Sequence, residues 1–214
     1  MLDIKIQKKN FGSKIILENV KFNIVENGIY GFVGKNGQGK TTLFKSILGL
    51  TNFDGSVSLN NQKLILNQIA WCPTEPDLYN ELTAAEFYDF YNELTNNKQK
   101  LENLLFDVPE NQLIKSFSTG MKKKTYLNAI FQNEHQIYIL DEPFNGLDLE
   151  SNYVLMNFLK TKSHNAIILI SSHILEILYT NCQSIFVVKD KNVLVFAKEN
   201  FAKIEETLFE TITK

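Results

Sequence analysis

Apolar and polar positions alternate at the start of the chain, and this alternation predicts antiparallel strands. Leu2, Ile4 and Ile6 are separated by polar residues, and two further extended runs, 15–17 and 20–24, follow the turn-like sequence NFGSK. Successive side chains of a strand point to opposite faces, so the pattern is typical of a ribbon with one buried face. The opening segment is therefore predicted to be an antiparallel pair of strands.

Turn-forming dipeptides divide the next part of the chain into short elements. Residues 29–33 are nearly all apolar, which favours a strand buried on both faces, and a helix is predicted from Gly39 to about Leu50. Asp54-Gly55 and Asn60-Asn61 then mark a hairpin-like region that we expect to extend to Trp71.

The remaining chain has helical periodicity first and then alternates between strands and helices. Thr83 and Glu86 have the spacing of a capping box at the start of a helical region. Strands are predicted at 137–140, 166–170 and 185–188, and helices at 118–134, 149–162 and 173–180. This alternation is typical of a mostly parallel sheet with helices on its faces, so the predicted fold class is α/β.

No internal repeat or low-complexity linker interrupts this pattern, so we expect one domain over residues 1–214. Within it, an antiparallel β subdomain is expected within about 1–72 and a helical subdomain at about 76–130, with the core sheet elsewhere.

Composition and charge narrow the possible partners. The net charge is −2 and the isoelectric point is about 6.0, so the chain lacks the overall positive field that drives binding to a nucleic-acid backbone, and we expect no nucleic-acid partner. All 22 basic residues are Lys, which removes the arginine finger from every mechanism. Cys72 and Cys182 lack a paired spacing, and no signal peptide or run of about 20 apolar residues is present, so we expect a cytoplasmic location.

A glycine-rich loop supplies the first candidate chemistry. Residues 34–41, GKNGQGKT, match the pattern G-x-x-x-x-G-K-[ST] between a predicted strand and a predicted helix. Glycines let consecutive amide groups converge on phosphate oxygens, and the helix N-terminus adds positive potential there. Lys40 is predicted to reach the β- and γ-phosphates of a nucleotide, and Thr41 to offer its hydroxyl to Mg²⁺. A simple glycine turn is the alternative, but the flanking elements favour nucleotide binding.

Two adjacent carboxylates are the second feature with candidate chemistry. Asp141 and Glu142 follow the predicted strand IYIL, at the strand end where ligands of open α/β sheets bind. In P-loop proteins the Asp at this place holds the Mg²⁺ shell, directly or through water. Glu142 is expected to receive a proton from an attacking water.

Further motifs, in order along the chain, resemble those of the ATP-binding cassette (ABC) ATPases. FSTGMKKK at 117–124 resembles the family signature L-S-G-G-Q, and its Ser118 stands 23 residues before Asp141. NGLD at 145–148 resembles the D-loop, and the sequence ISSH ends at His173, which resembles the switch histidine. Phe11 stands where the family stacks an aromatic ring on adenine, although core packing is the alternative for this residue.

The resemblance covers about residues 2–190 and implies a P-loop ABC ATPase fold with ATP and Mg²⁺ as ligands. It makes Glu142, His173 and Lys40 the candidate catalytic residues. The implied nucleotide-binding residues are Phe11, Gly34, Asn36, Gly37, Gly39, Lys40, Thr41, Thr42, Ser118 and Gly120. Thr41 and Asp141 are the implied Mg²⁺ ligands.

The signature segment also predicts a second anion-binding helix end, because Ser118 suits an N-cap position. In the family, this end faces the ATP of the opposite protomer in a head-to-tail dimer. One chain has a single P-loop and a single signature, so dimerisation is predicted, with a second ABC subunit that is identical in the simplest case.

The chain departs from the family pattern at three positions. Thr74 stands at the place of the Q-loop Gln, and its shorter side chain leaves metal contact through this loop open. Thr119 and Met121 replace signature residues, which resembles exporter-type ATPases with ABC-2 permeases. In transporters the neighbouring region receives a coupling helix of the permease, and the candidates for that groove are Leu78, Tyr79 and Leu82. Core packing is equally compatible with these three residues.

Two functions of different classes fit these motifs. The first is the ATP-hydrolysing subunit of an ABC exporter, held at the cytoplasmic face of the membrane by a separate transmembrane permease. The second is a soluble ABC ATPase that acts on ribosomes, DNA or metal-cluster assembly. A small GTPase or kinase is a weaker third choice, because the base-reading N-K-x-D motif is missing and the signature would be unexplained.

Overall fold

The computed structural model describes residues 1–95 and 104–209, which form two sheets and six named helices. The strands are β1 Leu2–Phe11, β2 Lys14–Ile24, β3 Gly28–Val33, β4 Asp54–Leu59, β5 Gln62–Lys63, β6 Ile69–Cys72, β7 Ile137–Leu140, β8 Ile167–Ser171, β9 Ser184–Lys189 and β10 Asn192–Ala197. The helices are α1 Lys40–Ile47, α2 Ala84–Leu94, α3 Thr119–Phe131, α4 Leu149–Lys162, α5 Leu175–Asn181 and α6 Ile204–Phe209.

The first sheet is antiparallel and has the strand order β2-β1-β4-β5. β1 pairs with β2 from Leu2 opposite Ile24 to Phe11 opposite Lys14, so the predicted opening ribbon is confirmed. Leu2, Ile4 and Ile6 are fully buried, because the alternating pattern turns one face of this ribbon toward the core.

The second sheet has the order β10-β9-β3-β8-β7-β6 and is parallel except for the edge strand β10. β3, β7 and β8 are completely buried, which agrees with their continuous apolar sequences. β8 lies between β3 and β7, so the carboxyl ends of these three strands meet at one edge. This arrangement confirms the predicted α/β class and brings the sequence motifs after the three strands together.

One predicted element has a different partner. The hairpin-like region does not extend to Trp71, because Ile69–Cys72 forms β6, which pairs in parallel with β7 in the second sheet. β6 has only four residues, between the 3₁₀ turn at Leu66–Gln68 and Pro73. So short a strand shows no hydrophobic periodicity that would distinguish it from the end of a hairpin.

The helices agree with the predicted ones to within a few residues, and α4 agrees at both ends. The capping box is present, since the Thr83 hydroxyl accepts a hydrogen bond from the Glu86 N–H and the Glu86 carboxylate accepts one from the Thr83 N–H. The region expected to be a helical subdomain has its own apolar cluster, including Leu78, Phe87 and Ile114, but its residues 96–103 lie outside the described residues.

After β10 the described chain continues as a 3₁₀ segment and α6, for which the sequence carried no motif. Phe201, Ile204 and Leu208 pack this segment against the core. No helix among the described residues is long and apolar enough to cross a membrane.

Candidate active site

The loop between β3 and α1 has a backbone that its glycines permit. Gly37 and Gly39 have φ angles of +80° and +109°, in the region that side chains disfavour, and a Cβ on Gly34 would lie 2.4 Å from the Val188 carbonyl oxygen. Gly39 is also the N-cap residue of α1 and has no side chain to occupy the first-turn amides. Leu43 and Phe44 are fully buried, which fixes the helix end under the loop.

The other loop residues lie around this helix end. Asn36 and Gly37 are exposed, Thr41 is exposed at the first turn of α1, and Thr42 is half-buried beside it. Lys40 is buried, and its Nζ donates a hydrogen bond of 2.7 Å to the Gly34 carbonyl oxygen. Burial lowers the pKa of Lys40, and the carboxylates of Glu142 and Asp141 act in the opposite direction. The Lys40 ammonium group therefore lies inside the loop, close to the carboxylates that follow β7.

Asp141, directly after β7, is bonded to the first turn of α1 and to the end of β8. Its Oδ2 accepts a hydrogen bond of 2.5 Å from the Thr41 hydroxyl, and its Oδ1 accepts one of 2.6 Å from the Ser171 hydroxyl. Because β8 lies between β3 and β7, the residue at its end can reach both neighbours. Ser171 stands in the motif ISSH, in which only His173 was predicted to be a site residue.

Glu142 has a left-handed backbone with φ of +50° and is almost fully buried. Its Oε1 lies 3.0 Å from His173 Nε2, close enough for an ion pair but without the alignment of a directed hydrogen bond. Its Oε2 accepts a hydrogen bond of 3.3 Å from the His173 backbone N–H. Burial raises the pKa of Glu142, and His173 and Lys40 oppose this shift. A carboxylate with a raised pKa is a stronger base than an ordinary glutamate, as a group that accepts a proton from water requires.

Thr41 and Asp141 together fit a Mg²⁺ site. Thr41 and Asp141 present a hydroxyl and a carboxylate oxygen within hydrogen-bonding distance, and oxygen atoms are the ligands that Mg²⁺ prefers. Among residues 1–95 and 104–209, no group of three or more His, Cys, Asp or Glu side chains could hold a metal by itself. This donor set therefore matches the usual mode of Mg²⁺ binding, in which substrate phosphates and water complete the coordination.

The loop at Thr74 is anchored by an unexpected lysine. Thr74 is exposed, and its carbonyl oxygen accepts a hydrogen bond of 2.7 Å from Lys123 Nζ, which also donates to the Pro73 carbonyl at 3.1 Å. A run of lysines such as 122–124 is ordinarily a solvated helix face, and this interpretation is wrong for Lys123, which is buried. Leu127, one helical turn further on, is also buried on α3, and this spacing was the signal that could have revealed the buried face.

The signature segment begins α3. Ser118 is the N-cap residue, and its hydroxyl accepts a hydrogen bond of 3.2 Å from the Met121 N–H. A Cβ on Gly120 would lie 2.5 Å from the Gly146 carbonyl oxygen, so this glycine permits close contact with the D-loop-like segment. In the described part of the chain, Ser118 and Gly120 share no hydrogen bond with residues 34–42.

Phe11 lies at the end of β1 and is 55% exposed, so it does not pack in the core. Its ring lies 4.1 Å from the ammonium group of Lys9, which also donates to the Thr51 hydroxyl and the Asn52 carbonyl. The Lys9 ammonium group lies over the ring of Phe11, and the ring is exposed to solvent. Such an exposed aromatic ring is suited to stacking on a nucleobase.

The two sheets, the glycine loop and the carboxylates after β7 together define a P-loop nucleotide-binding fold. A family model described as ABC transporter matches residues 17–145. The ABC-type transporter ATP-binding protein EcsA of Bacillus subtilis is 32% identical over 210 aligned positions, covering 90% of this chain and 85% of that protein. The lantibiotic transport ATP-binding protein SrtF of Streptococcus pyogenes is 34% identical over 193 positions, covering 82% and 81%. This chain therefore belongs to the family of ABC transporter ATP-binding proteins.

Solved structures agree with this assignment. An ATP-binding subunit of an ABC transporter superposes with a TM-score of 0.85 at 26% identity, covering 98% of this chain and 95% of that one. A dimeric ATP-binding cassette in a post-hydrolysis state with ADP and phosphate has a TM-score of 0.79 at 21% identity, covering 92% and 99%, and shares the fold. As a member of this ATPase family, the protein binds a nucleotide and is an ATPase.

Proposed function

We propose that this protein is the ATP-hydrolysing subunit of an ABC exporter, works as a head-to-tail dimer and drives a separate transmembrane permease. The observation that carries the proposal is the division of the phosphate-binding groups within one chain. The β3–α1 loop, Asp141, Glu142 and His173 form one connected cluster, while the exposed N-terminus of α3 at Ser118 shares no hydrogen bond with that loop among the described residues. In this proposal a second subunit supplies the α3 N-terminus to the nucleotide bound at the loop of the first.

In this proposal the ATP phosphates lie on the amides of residues 34–42, and Lys40 exchanges its bond to the Gly34 carbonyl for one to a phosphate oxygen. Thr41 and Asp141 hold Mg²⁺, which neutralises developing charge on the phosphates when it is bound. The Thr74 carbonyl oxygen is bonded to Lys123, and metal contact through the side chain of Thr74 stays an open prediction.

Glu142 acts as the general base in this scheme and takes the proton of the attacking water. His173 keeps the carboxylate oriented through its two contacts, and in this scheme its ring also contacts the γ-phosphate. Because the chain has no Arg, the positive end of α3 from the second subunit acts on the γ-phosphate in place of an arginine finger.

Coupling to a membrane partner is supported by the relatives and by the surface near α2. One relative carries the description of a lantibiotic transport protein, and a solved neighbour is described as part of a transporter complex. Tyr79 is 58% exposed and packs edge-on against Phe90, whereas Leu78 is buried in the core of this region and Leu82 lies partly buried against it. We therefore place the permease contact at Tyr79, with a cytoplasmic, membrane-peripheral location for the subunit.

The dimer is tested with Glu142→Gln, which keeps the shape of the side chain but cannot accept the proton. With ATP and Mg²⁺, size-exclusion chromatography with light scattering should show this variant accumulating as dimers, and ATP turnover should be low. Ser118→Ala combined with Glu142→Gln should bind ATP but dimerise less. A Glu142→Gln protein that binds ATP and stays monomeric at high concentration would overturn the dimer.

The permease is tested separately by co-purification from membranes. A tagged chain should carry a hydrophobic membrane protein with it, and Tyr79→Ala should weaken that association while leaving basal ATPase activity intact. Recovery of ribosomes or DNA instead, with no membrane protein, would favour the soluble ATPase.

A further inference from the structure

The hydroxyl group of Ser171 makes two hydrogen bonds in the fully buried end of β8. It donates to Asp141 Oδ1 at 2.6 Å, and it accepts from the Glu142 backbone N–H at 2.7 Å. One side chain on the neighbouring strand is therefore bonded to both of the adjacent carboxylate residues. No other hydroxyl in the described part of the chain joins these two residues.

The first bond fixes the orientation of the Asp141 carboxylate. Its two oxygens are divided between two hydroxyl donors, with Oδ1 held by Ser171 and Oδ2 facing Thr41. Rotation of the carboxylate would break both bonds, so the Ser171 hydroxyl keeps one oxygen directed at the position proposed for Mg²⁺. A group that orients a metal ligand in this way usually changes metal affinity or activity by about 10- to 100-fold when it is removed.

The second bond holds the backbone of Glu142. A φ of +50° is unfavourable for a residue with a side chain, so neighbouring contacts must maintain it. The N–H of Glu142 is fixed by the Ser171 hydroxyl, and the carboxylate at the other end of the residue contacts His173. Without the hydroxyl, the Glu142 N–H would be a buried donor with no acceptor, and its backbone would be free to relax.

We propose that Ser171 is a positioning residue, whose hydroxyl sets the Asp141 carboxylate for Mg²⁺ and the Glu142 backbone for proton transfer. This inference rests on the roles proposed above for Asp141 and Glu142. Ser171 itself transfers no proton and touches no substrate, so its removal should affect the metal and the rate far more than the binding of nucleotide alone.

The experiment compares Ser171→Ala and Ser171→Thr with Ser46→Ala. Ser46 is an equally buried serine, but its hydroxyl bonds only to the Thr42 carbonyl in its own helix, so its variant is the control for loss of a buried hydroxyl. Two quantities are measured: the Mg²⁺ concentration that half-saturates the Mg²⁺-dependent binding of a fluorescent ATP analogue, and the kcat and KM of ATP hydrolysis.

Ser171→Ala should raise the half-saturating Mg²⁺ concentration and lower kcat, each by about 10- to 100-fold, with Mg²⁺-free nucleotide affinity unchanged within about twofold. Ser171→Thr keeps the hydroxyl and should recover most of the Mg²⁺ affinity. Ser46→Ala should match the parent. Unchanged Mg²⁺ dependence in Ser171→Ala would overturn the proposal, as would an equal effect of Ser46→Ala or a loss of Mg²⁺-free binding.

The Mg²⁺-dependent binding does not require hydrolysis, dimerisation or a permease. If the parent protein dimerises or couples differently from the proposed function, the binding data still test Ser171. If Ser171→Ala behaves like the parent while Glu142→Gln is inactive, the proposed function stands and the role of Ser171 falls.

Discussion

His173 Nε2 lies 3.0 Å from Glu142 Oε1, and the backbone N–H of the same histidine donates to Glu142 Oε2. Both oxygens of this buried carboxylate thus face one residue, which comes from the loop after β8. The contact joins a carboxylate whose pKa is raised by burial to a side chain that opposes the shift.

Replacement of this histidine should therefore alter the pH dependence of turnover as well as its rate. In His173→Ala, the pKa of Glu142 should rise further, so the acidic limb of the kcat profile moves to higher pH. We expect kcat to fall by at least about tenfold at neutral pH, with smaller losses at alkaline pH. His173→Gln, which retains a donor but no charge, is the matched variant. If the pH profile of His173→Ala runs parallel to that of the parent, His173 does not affect the pKa of Glu142.

The raised pKa of Glu142 also predicts a pH-dependent stability. The unfolded chain loses this proton near the ordinary value of 4.5, whereas the folded protein keeps it to higher pH. The folded state therefore binds more protons within that window, and its free energy of unfolding decreases as the pH rises through it. Glu142→Gln removes this loss, so the variant should unfold at a higher temperature than the parent at neutral pH.

Thermal unfolding scans across the pH range test this prediction. The advantage of Glu142→Gln should shrink as the pH falls toward 4.5 and should be absent below it. Glu110→Gln, at an exposed position, makes the same change of charge and is the control. A Glu142→Gln variant that is less stable than the parent at neutral pH would show that His173 and Lys40 outweigh the burial of the carboxylate.

The exposed ring of Phe11 predicts a specific effect on nucleotide affinity. Stacking of a base on an aromatic ring contributes roughly 1–3 kcal/mol, so Phe11→Ala should raise the KM for ATP by roughly 5- to 150-fold. kcat should change little, because the ring interacts with the base equally in the ground state and the transition state. Phe11→Tyr keeps the ring and should behave like the parent. Equal KM values for Phe11→Ala and the parent would show that adenine does not stack on Phe11.

The sequence predicted the parts of this site that depend on local chemistry. The glycine loop, the Asp141-Glu142 pair and His173 each follow an apolar strand directly, and parallel strands bring their carboxyl ends to one edge. The alternation of strands and helices therefore predicted both the class of the fold and the edge of the sheet at which these motifs lie. Thr83 and Glu86 were equally predictable, because a capping box depends on residues only three positions apart.

The parts that the sequence did not predict depend on contacts between distant segments. Ser171 joins two residues about 30 positions earlier, and Lys9 of β1 is bonded to Thr51 and Asn52, just before β4. β6 was missed because its four residues become a strand only by pairing with β7. In each case a short segment or an ordinary polar side chain obtains its role from a partner that periodicity does not identify.

Lys123 provides the sharpest test of such a distant contact. Its buried ammonium group donates to the carbonyl oxygens of Pro73 and Thr74, which ties the signature helix α3 to the loop after β6. Lys123→Met keeps most of the side-chain volume but leaves those carbonyls without their donor. A hydrogen bond from a charged group contributes about 1.5–3 kcal/mol, and these two bonds are partly buried, so we expect the free energy of unfolding to fall by about 1–3 kcal/mol.

Denaturant unfolding measures this loss, and Lys122→Met is its control. Lys122 is adjacent in sequence, but its Nζ forms only an exposed hydrogen bond of 3.2 Å with Asn80, so this variant should lose less than about 0.5 kcal/mol. Equal losses for the two variants would mean that the tie to Pro73 and Thr74 contributes nothing beyond an exposed contact. A larger loss for Lys123→Met, together with slower ATP turnover, would show that the lysine holds the Thr74 loop and α3 in the arrangement that catalysis requires.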